Sequence, residues 1–178
     1  AMPIDVEQSA IDFLAADGHK WQLGPEGAGI AYIRRDRLPL LRATGIGWNS
    51  VVHAYDFTKI ELKLKETAAR YEGGSYNMAG MLGLGASLAL LESLGIDTIS
   101  EAILSWSDRA CERLAEAGAE IASPREPEMR SGIVAFELPG RRPEEVRRAC
   151  RDARIVVACR GGRIRISGHA YNNDDDID

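Results

Sequence analysis

The sequence predicts a mixed α+β (α/β) chain, on three observations. Two β-prone runs, 11–16 and 30–33, flank a polar turn and a glycine-rich segment. Two longer stretches, 77–94 and 99–117, repeat apolar residues at three- and four-residue steps, the period of helices packed on one side. From Gly132 onward the pattern runs strand, helix, strand, strand, which describes a small sheet with one helical cover.

Taken in order, the run 11–16 ends in a polar turn followed at once by His19-Lys20. Gly24-Pro25-Glu26-Gly27-Ala28-Gly29 then leads into the second run. A lysine is thereby presented at the tip of a strand-loop-strand unit, beside backbone largely stripped of side chains. A lysine amine does covalent chemistry when it is held unprotonated near an electrophile, and burial or a cationic neighbour favours that state. His19 is the neighbour in sequence. A surface lysine in a hairpin loop is the plainer reading of the same residues.

Residues 34–70 show little periodicity and read as irregular connection. Within them, Gly45-Ile46-Gly47-Trp48 is rich in turn formers, and Trp48 reads as an aromatic packed on a loop or lining an entrance. Ala69-Arg70-Tyr71-Glu72-Gly73-Gly74-Ser75 follows. Bare backbone before a hydroxyl suits close approach to an anion, and Ser75 or Asn77 would also cap the next helix.

The helix 77–94 carries Met78, Met81, Leu82, Leu88, Leu91 and Leu94, with the methionines as core filler and Gly95 as its stop. In the next helix, Thr98 and Glu101 have capping-box spacing. Ile99, Ile103, Trp106, Ala110 and Leu114 form its apolar stripe, and Gly118 closes it. The C-terminal layer is expected as a strand 133–138, a helix opened by Pro143 with Glu144 and Glu145 in its first turn, a strand 155–158, and a strand 163–167. In the last strand Arg163 and Arg165 share one face, Ile164 and Ile166 the other.

Composition bounds the function. With 178 residues, 45% hydrophobic and 28% charged, the chain has the make-up of a globular protein able to bury a core. A net charge of −5 gives no nucleic-acid footprint, and Arg141, Arg142, Arg147, Arg148, Arg151 and Arg154 read as a solvated helix face. No apolar run reaches membrane-spanning length. Asp5 and Glu7 leave no room for a secretory h-region, and Ala1 before Met2 reads as an expression remnant. Cys111, Cys150 and Cys159 are an odd number without metal-ligand spacing, which fits a reducing cytoplasm and no metal centre.

His19-Lys20 followed by Gly-Pro-x-Gly-x-Gly resembles the class V aminotransferase family, the fold-type I pyridoxal 5'-phosphate (PLP) enzymes that include cysteine desulfurases and isopenicillin N epimerase-like proteins. The resemblance implies that Lys20 carries PLP as a Schiff base, with His19 beside it. Asp17 departs from the pattern, since the family usually has a small residue there. Arg70 to Ser75 resembles the family's Arg-aromatic-Glu-x-Gly-Thr/Ser segment, which implies that Gly74 and Ser75 contact the PLP phosphate of the neighbouring subunit in a homodimer. Arg165-Ile166-Ser167-Gly168-His169-Ala170-Tyr171-Asn172 resembles the family's Arg-x-Ser-x-x-x-Tyr-Asn ending. There the arginine grips the substrate α-carboxylate, which a planar guanidinium does with two parallel bonds. Arg165 is therefore the expected clamp, Arg163 and Arg160 are weaker candidates, and pairing with the acidic tail Asp174-Asp175-Asp176 is the alternative role. His169 and Tyr171 read as packing residues.

The resemblance places the lysine motif unusually early, so the chain looks like the C-terminal half of such an enzyme. Residues 1–70 would be the end of a large cofactor-binding domain and 71–178 a small C-terminal domain. Two functions stay open: the C-terminal part of a PLP enzyme acting on an amino acid, or an inactive truncated fold or dimerisation module that needs an N-terminal half. Cys159 lies at a strand end before a short Arg160-Gly161-Gly162 turn, with no mobile loop. The resemblance is thus closer to the aminotransferase or epimerase-like branch than to desulfuration.

Overall fold

A computed structural model describes residues 2–178; Ala1 lies outside the described residues. The chain divides into two compact units, residues 4–93 and residues 94–178 together with residues 2–3.

In the first unit, β1 (Phe13–Asp17) and β2 (Gly29–Ile33) form an antiparallel pair. Ala16 lies opposite Ile30 and Asp17 opposite Gly29. The connection is pinned from within: Gly18 N–H donates to the Ala28 carbonyl, and Gly24 N–H to the Gly18 carbonyl, both at 2.8 Å. The expected irregular connection contains short 3-10 turns at Arg35–Leu40, Trp48–Ser50 and Ala68–Tyr71, and one isolated bridge from Val51 to Leu64. Trp48 packs on its own loop, its ring 5.6 Å from Tyr55 in edge-on contact.

Helix α1 (Met78–Leu94) closes this unit. Asn77 is its cap: the Oδ1 atom accepts from Gly80 N–H at 3.0 Å, while Nδ2 donates to the Gly27 carbonyl at 3.2 Å. The helix leans on the glycine-rich loop. A Cβ built on Gly24 would stand 2.8 Å from Leu84 Cδ1, and one on Gly83 3.1 Å from Pro25. Only Gly80 and Leu84 are buried in α1. Met78 and Met81 are exposed, which corrects their expected role as core filler. The helix is apolar on every side, so no single face gathers its large residues inward. Helix α1 packs on the hairpin loop and belongs with it to this compact unit.

In the second unit, α2 (Ile96–Glu116) is followed by β3 (Glu120–Ile121), β4 (Ile133–Glu137), α3 (Pro143–Asp152), β5 (Ala158–Arg160) and β6 (Arg163–Ser167). The sheet order is β3-β4-β6-β5, antiparallel throughout. Phe136 lies opposite Ile164, and with Ala119 they form the buried core. Leu114 of α2 and Val146 of α3 both pack on that cluster, so the sheet has two helical covers where the sequence pattern predicts one.

Two elements are displaced from their expected positions. Helix α2 begins at Ile96, directly after Gly95 at φ +82°, so Thr98 lies inside the helix and makes no cap. The strand expected at 155–158 is instead β5, because the two-residue turn Gly161-Gly162 fixes which residues face β6. Arg154 at φ +63° turns the chain out of α3, and Ile155 and Val156 are exposed. The α2 stripe forms as expected with Ile103 and Ala110 buried, but Ser100 and Ser107 share its inner face. Trp106 lies across Gly168, where a Cβ would come within 2.7 Å of the ring, and its Nε1–H donates to the Asn173 carbonyl at 3.1 Å.

Candidate active site

Lys20 sits in the β1–β2 connection, in a turn closed by Leu23 N–H donating to the Lys20 carbonyl at 2.9 Å. The turn is tight enough to hold Leu23 at φ +57°, a left-handed conformation uncommon outside glycine. Lys20 Nζ donates to Asp17 Oδ2 at 2.5 Å, three residues back at the end of β1. The side chain is exposed (68%), and its nearest described charge is an anion. Both observations correct the expectation of a lysine activated by burial and a cationic neighbour. His19 is turned to the same carboxylate, Nδ1 3.9 Å from Asp17 Oδ1. The Lys20 hydrogen bond, reinforced by the charges of Lys20 and His19, holds the Asp17 carboxyl below its ordinary range.

The glycines around this turn serve packing as much as ligand approach. A Cβ on Gly18 would meet the Ala28 carbonyl at 2.8 Å, and one on Gly29 the Ala16 carbonyl at 2.7 Å. Asp17, Ala15, Ala16 and Gly29 line a cleft of about 570 Å³, together with Tyr71 and Glu72. The Tyr71 hydroxyl is buried and has no hydrogen-bond partner among the described residues.

Gly73 and Gly74 have separate tasks. Gly73 backs onto Gly47 so closely that a Cβ on Gly47 would overlap the Gly73 carbonyl oxygen at 2.1 Å. Gly74 is more open, with Trp48 Nε1 at 3.6 Å as its nearest neighbour. Asn49, almost fully buried, ties this segment together: its Nδ2 donates to the Glu72 carbonyl at 3.1 Å and to Tyr76 Oη at 2.7 Å, and Lys65 Nζ donates to its Oδ1 at 3.1 Å. Because Asn77 takes the cap of α1, the exposed Ser75 hydroxyl is not spent on the helix end.

Arg165 lies in β6, opposite Ala135 of β4 and Ala158 of β5. Two small neighbours leave its face of the sheet uncrowded. The residue is half-buried, it forms no ion pair among the described residues, and its buried Nε has no hydrogen-bond partner there. Its neighbour on the same strand and the arginines that meet the acidic tail are engaged. Arg163 Nε donates to Glu137 Oε1 at 2.7 Å. Asp174 of the acidic tail pairs with Arg109, Asp178 with Arg113, and Asp176 accepts from Asn172 and Asn173. The alternative role for Arg165, a partner of the tail, is therefore not realised. His169 and Tyr171 stack with ring centres 4.7 Å apart. Cys159 Sγ donates to the Pro143 carbonyl at 3.3 Å, on a strand that turns back through Gly161-Gly162.

Sequence reasoning missed Asp17 as the partner of Lys20, Asn49 as the knot beneath Ser75, and the orphaned Tyr71 hydroxyl. Only the first left a signal, an acid three residues before a lysine. Asn49 and Tyr71 acquire their significance from burial.

This arrangement of mixed helices and strands is that of the PLP-transferase fold. The apo structure of cysteine desulfurase from Thermococcus onnurineus NA1 superposes with a TM-score of 0.83 at 28% identity, over 99% of this chain and 46% of that one. The C-DES mutant with glycine covalently linked to its PLP cofactor superposes with a TM-score of 0.85 at 24% identity, a likeness of fold. In sequence, the chain is 30% identical over 190 residues to a probable cysteine desulfurase of Pyrococcus abyssi. The class V aminotransferase family model matches residues 1–178, and the chain belongs to that family. The chain spans about half the length of the curated relatives it matches, 47% for the Pyrococcus protein. These class V aminotransferase and cysteine desulfurase homologues are PLP-dependent. No single helix among the described residues is long and apolar enough to cross a membrane.

Proposed function

We propose that this chain is the C-terminal part of a cytoplasmic PLP-dependent enzyme acting on an amino acid, with Lys20 as the residue that carries the cofactor. The observation that carries this reading is the placement of Lys20 at the hairpin tip, its side chain exposed and its amine donating to Asp17. The residues present fit the aldehyde and phosphate ends of the cofactor. Lys20 offers the amine, Gly74 an open backbone, and Ser75 a hydroxyl not used by the α1 cap.

The bound cofactor supplies an electron sink for bonds at the substrate Cα. Lys20 would be the base that takes the Cα proton and the acid that returns it. Arg165 holds the substrate carboxylate: its buried Nε has no hydrogen-bond partner among the described residues, and the half-buried guanidinium gains a bidentate partner on binding. Ser75 and the Gly74 N–H hold the phosphate of the neighbouring subunit in a homodimer. In this reading residues 1–70 end the large domain and 71–178 form the small one. We read Cys159 as structural, its thiol donating to the Pro143 carbonyl, which favours the aminotransferase or epimerase branch, although relatives such as the Pyrococcus protein are probable cysteine desulfurases.

A specific observation favours a second reading, that the chain as it stands is an inactive fold or dimerisation module. Helix α1 exposes Met78, Leu82 and Leu90, residues of a helix suited to burial on all sides. One experiment separates the two. The protein is mixed with PLP, reduced with borohydride and digested, and the modified lysine is mapped. With four lysines the assignment is clean. Selective modification of Lys20 at low PLP supports the enzyme; even, weak modification of Lys20, Lys59, Lys63 and Lys65 supports the module.

A further inference from the structure

Each lysine stands in a different electrostatic setting. Lys20 Nζ lies 2.5 Å from Asp17 Oδ2. Lys59, also three residues from an aspartate, lies 3.8 Å from Asp56, whose carboxylate is taken up by the Thr58 hydroxyl and N–H. Lys65 donates to the neutral Asn49 amide. Of the lysines, only Lys20 has a carboxylate at hydrogen-bonding distance among the described residues. The pair is built by the backbone: Asp17 is the last residue of β1, held opposite Gly29, and the pinned turn fixes the Lys20 Cα.

We propose that Asp17 is a positioning residue that restrains Lys20, holding its ammonium at the hairpin tip so that capture of a carbonyl must first break this ion pair. The inference rests on the reading of Lys20 as the cofactor-carrying lysine. In that capture the ammonium gives a proton to solvent and the nitrogen lone pair forms a bond to the carbonyl carbon. The nitrogen gives up its two remaining protons, by way of solvent, to the carbonyl oxygen, the C–O bond breaks as water leaves, and a C=N bond remains. Before that, the ammonium must leave the Asp17 Oδ2 atom that it touches at 2.5 Å. The other groups about the Asp17 carboxylate are His19, 3.9 Å away on the same turn, and Glu72 and Tyr71, which line the cleft with it. An exposed pair of this kind slows capture by about two- to fivefold.

The test uses two probes on the full chain and on the Asp17→Ser, Asp17→Asn and Asp17→Glu variants, with circular dichroism to establish folding. Reductive methylation with formaldehyde and cyanoborohydride, read lysine by lysine by mass spectrometry, measures the amine without any need for cofactor recognition. Lys20 is expected to react about two to five times faster in the Ser and Asn variants at pH 7.5 and low salt, and at close to the parent rate in the Glu variant. The difference should vanish in 1 M salt, where the screening length is about 3 Å. Lys63 should react alike in all four proteins. Equal or slower Lys20 methylation in the Ser and Asn variants overturns the inference. PLP trapping with borohydride on the same set reports separately on the site: loss of Lys20 selectivity in every protein overturns the cofactor reading and leaves the methylation result standing on its own.

Discussion

Leu84 rests on Gly24: its Cδ1 atom lies 2.8 Å from the place a Gly24 Cβ would take, and 3.1 Å from that of Gly18. Two glycines of the lysine motif are therefore used to bring α1 down onto the loop. Gly24→Ala forces Leu84 or the loop to move, and overpacking of this kind costs about 1–3 kcal/mol. Urea denaturation should show a lower midpoint with an unchanged slope.

Asn77 joins the same two elements by hydrogen bonds, capping α1 and reaching the Gly27 carbonyl. Asn77→Ala should cost about 1–2 kcal/mol, more than Asn77→Asp, which keeps the cap and loses only the amide donor. Thermal melts of the two variants give the comparison.

Arg165 and Arg125 should respond in opposite directions to removal. Arg125 donates to Ser107 Oγ, to Asp108 and to the Ser131 carbonyl, and Asp108 also accepts from Arg130. Arg125→Met leaves the buried Ser107 without this donor and should destabilise by about 2–3 kcal/mol. Arg165→Met removes a buried donor that has no partner and should leave stability unchanged or raise it by up to about 1 kcal/mol. A substitution that removes substrate binding while the melting temperature holds marks a residue kept for function.

The pH dependence has a definite sign. Asp17, Asp36, Asp56 and Asp176 all titrate below their ordinary value of 3.8, held down chiefly by hydrogen bonds from Lys20, Arg34, Thr58 and the Asn173 N–H respectively. A carboxyl depressed in the folded state stabilises above its unfolded pKa, and that contribution is lost as pH falls through the folded value. Stability should therefore hold down to about pH 4 and decline below it. Asp176→Asn should make the acid limb shallower in a pH series of thermal melts. Cys111 has the opposite sign: burial raises its thiol above 9.0, so its contribution is lost as pH rises past that value.

Self-association should accompany the exposed apolar residues of the irregular segment, Tyr55, Phe57, Ile60 and Leu62 among them. Light scattering is expected to show a species larger than a monomer at high concentration, and Phe57→Ser with Ile60→Ser should reduce it. A monomeric parent protein would count against the homodimer.

The helices and strands legible in the sequence were those with a strong local signal. Pro143 with two acids in the first turn marked α3, and the alternation Arg163-Ile164-Arg165-Ile166 marked β6. The displaced elements had their positions set by something else. The threonine cap spacing at 98 lost to Gly95, whose left-handed backbone lets α2 start two residues earlier than Thr98. Hydrophobicity at 155–158 lost to the register that the Gly161-Gly162 turn imposes on β5. β3 is two residues long, too short to carry a period. In the candidate site, the residue types were legible but their electrostatic partners were not. Only folding shows that Lys20 donates to Asp17 and that Arg165 has no ion pair among the described residues while the tail takes Arg109 and Arg113.

The turn between β5 and β6 places both Gly161 and Gly162 at positive φ, +56° and +75°. In stereochemical terms this corner belongs to the mirror-image half of conformational space. A D-alanine installed at either position by peptide ligation should fit and stiffen the hairpin, whereas L-alanine, identical in size and polarity, should strain it. Handedness alone, with composition held fixed, would then decide whether Arg160 and Arg163 stay paired across the turn on the strand that carries Arg165.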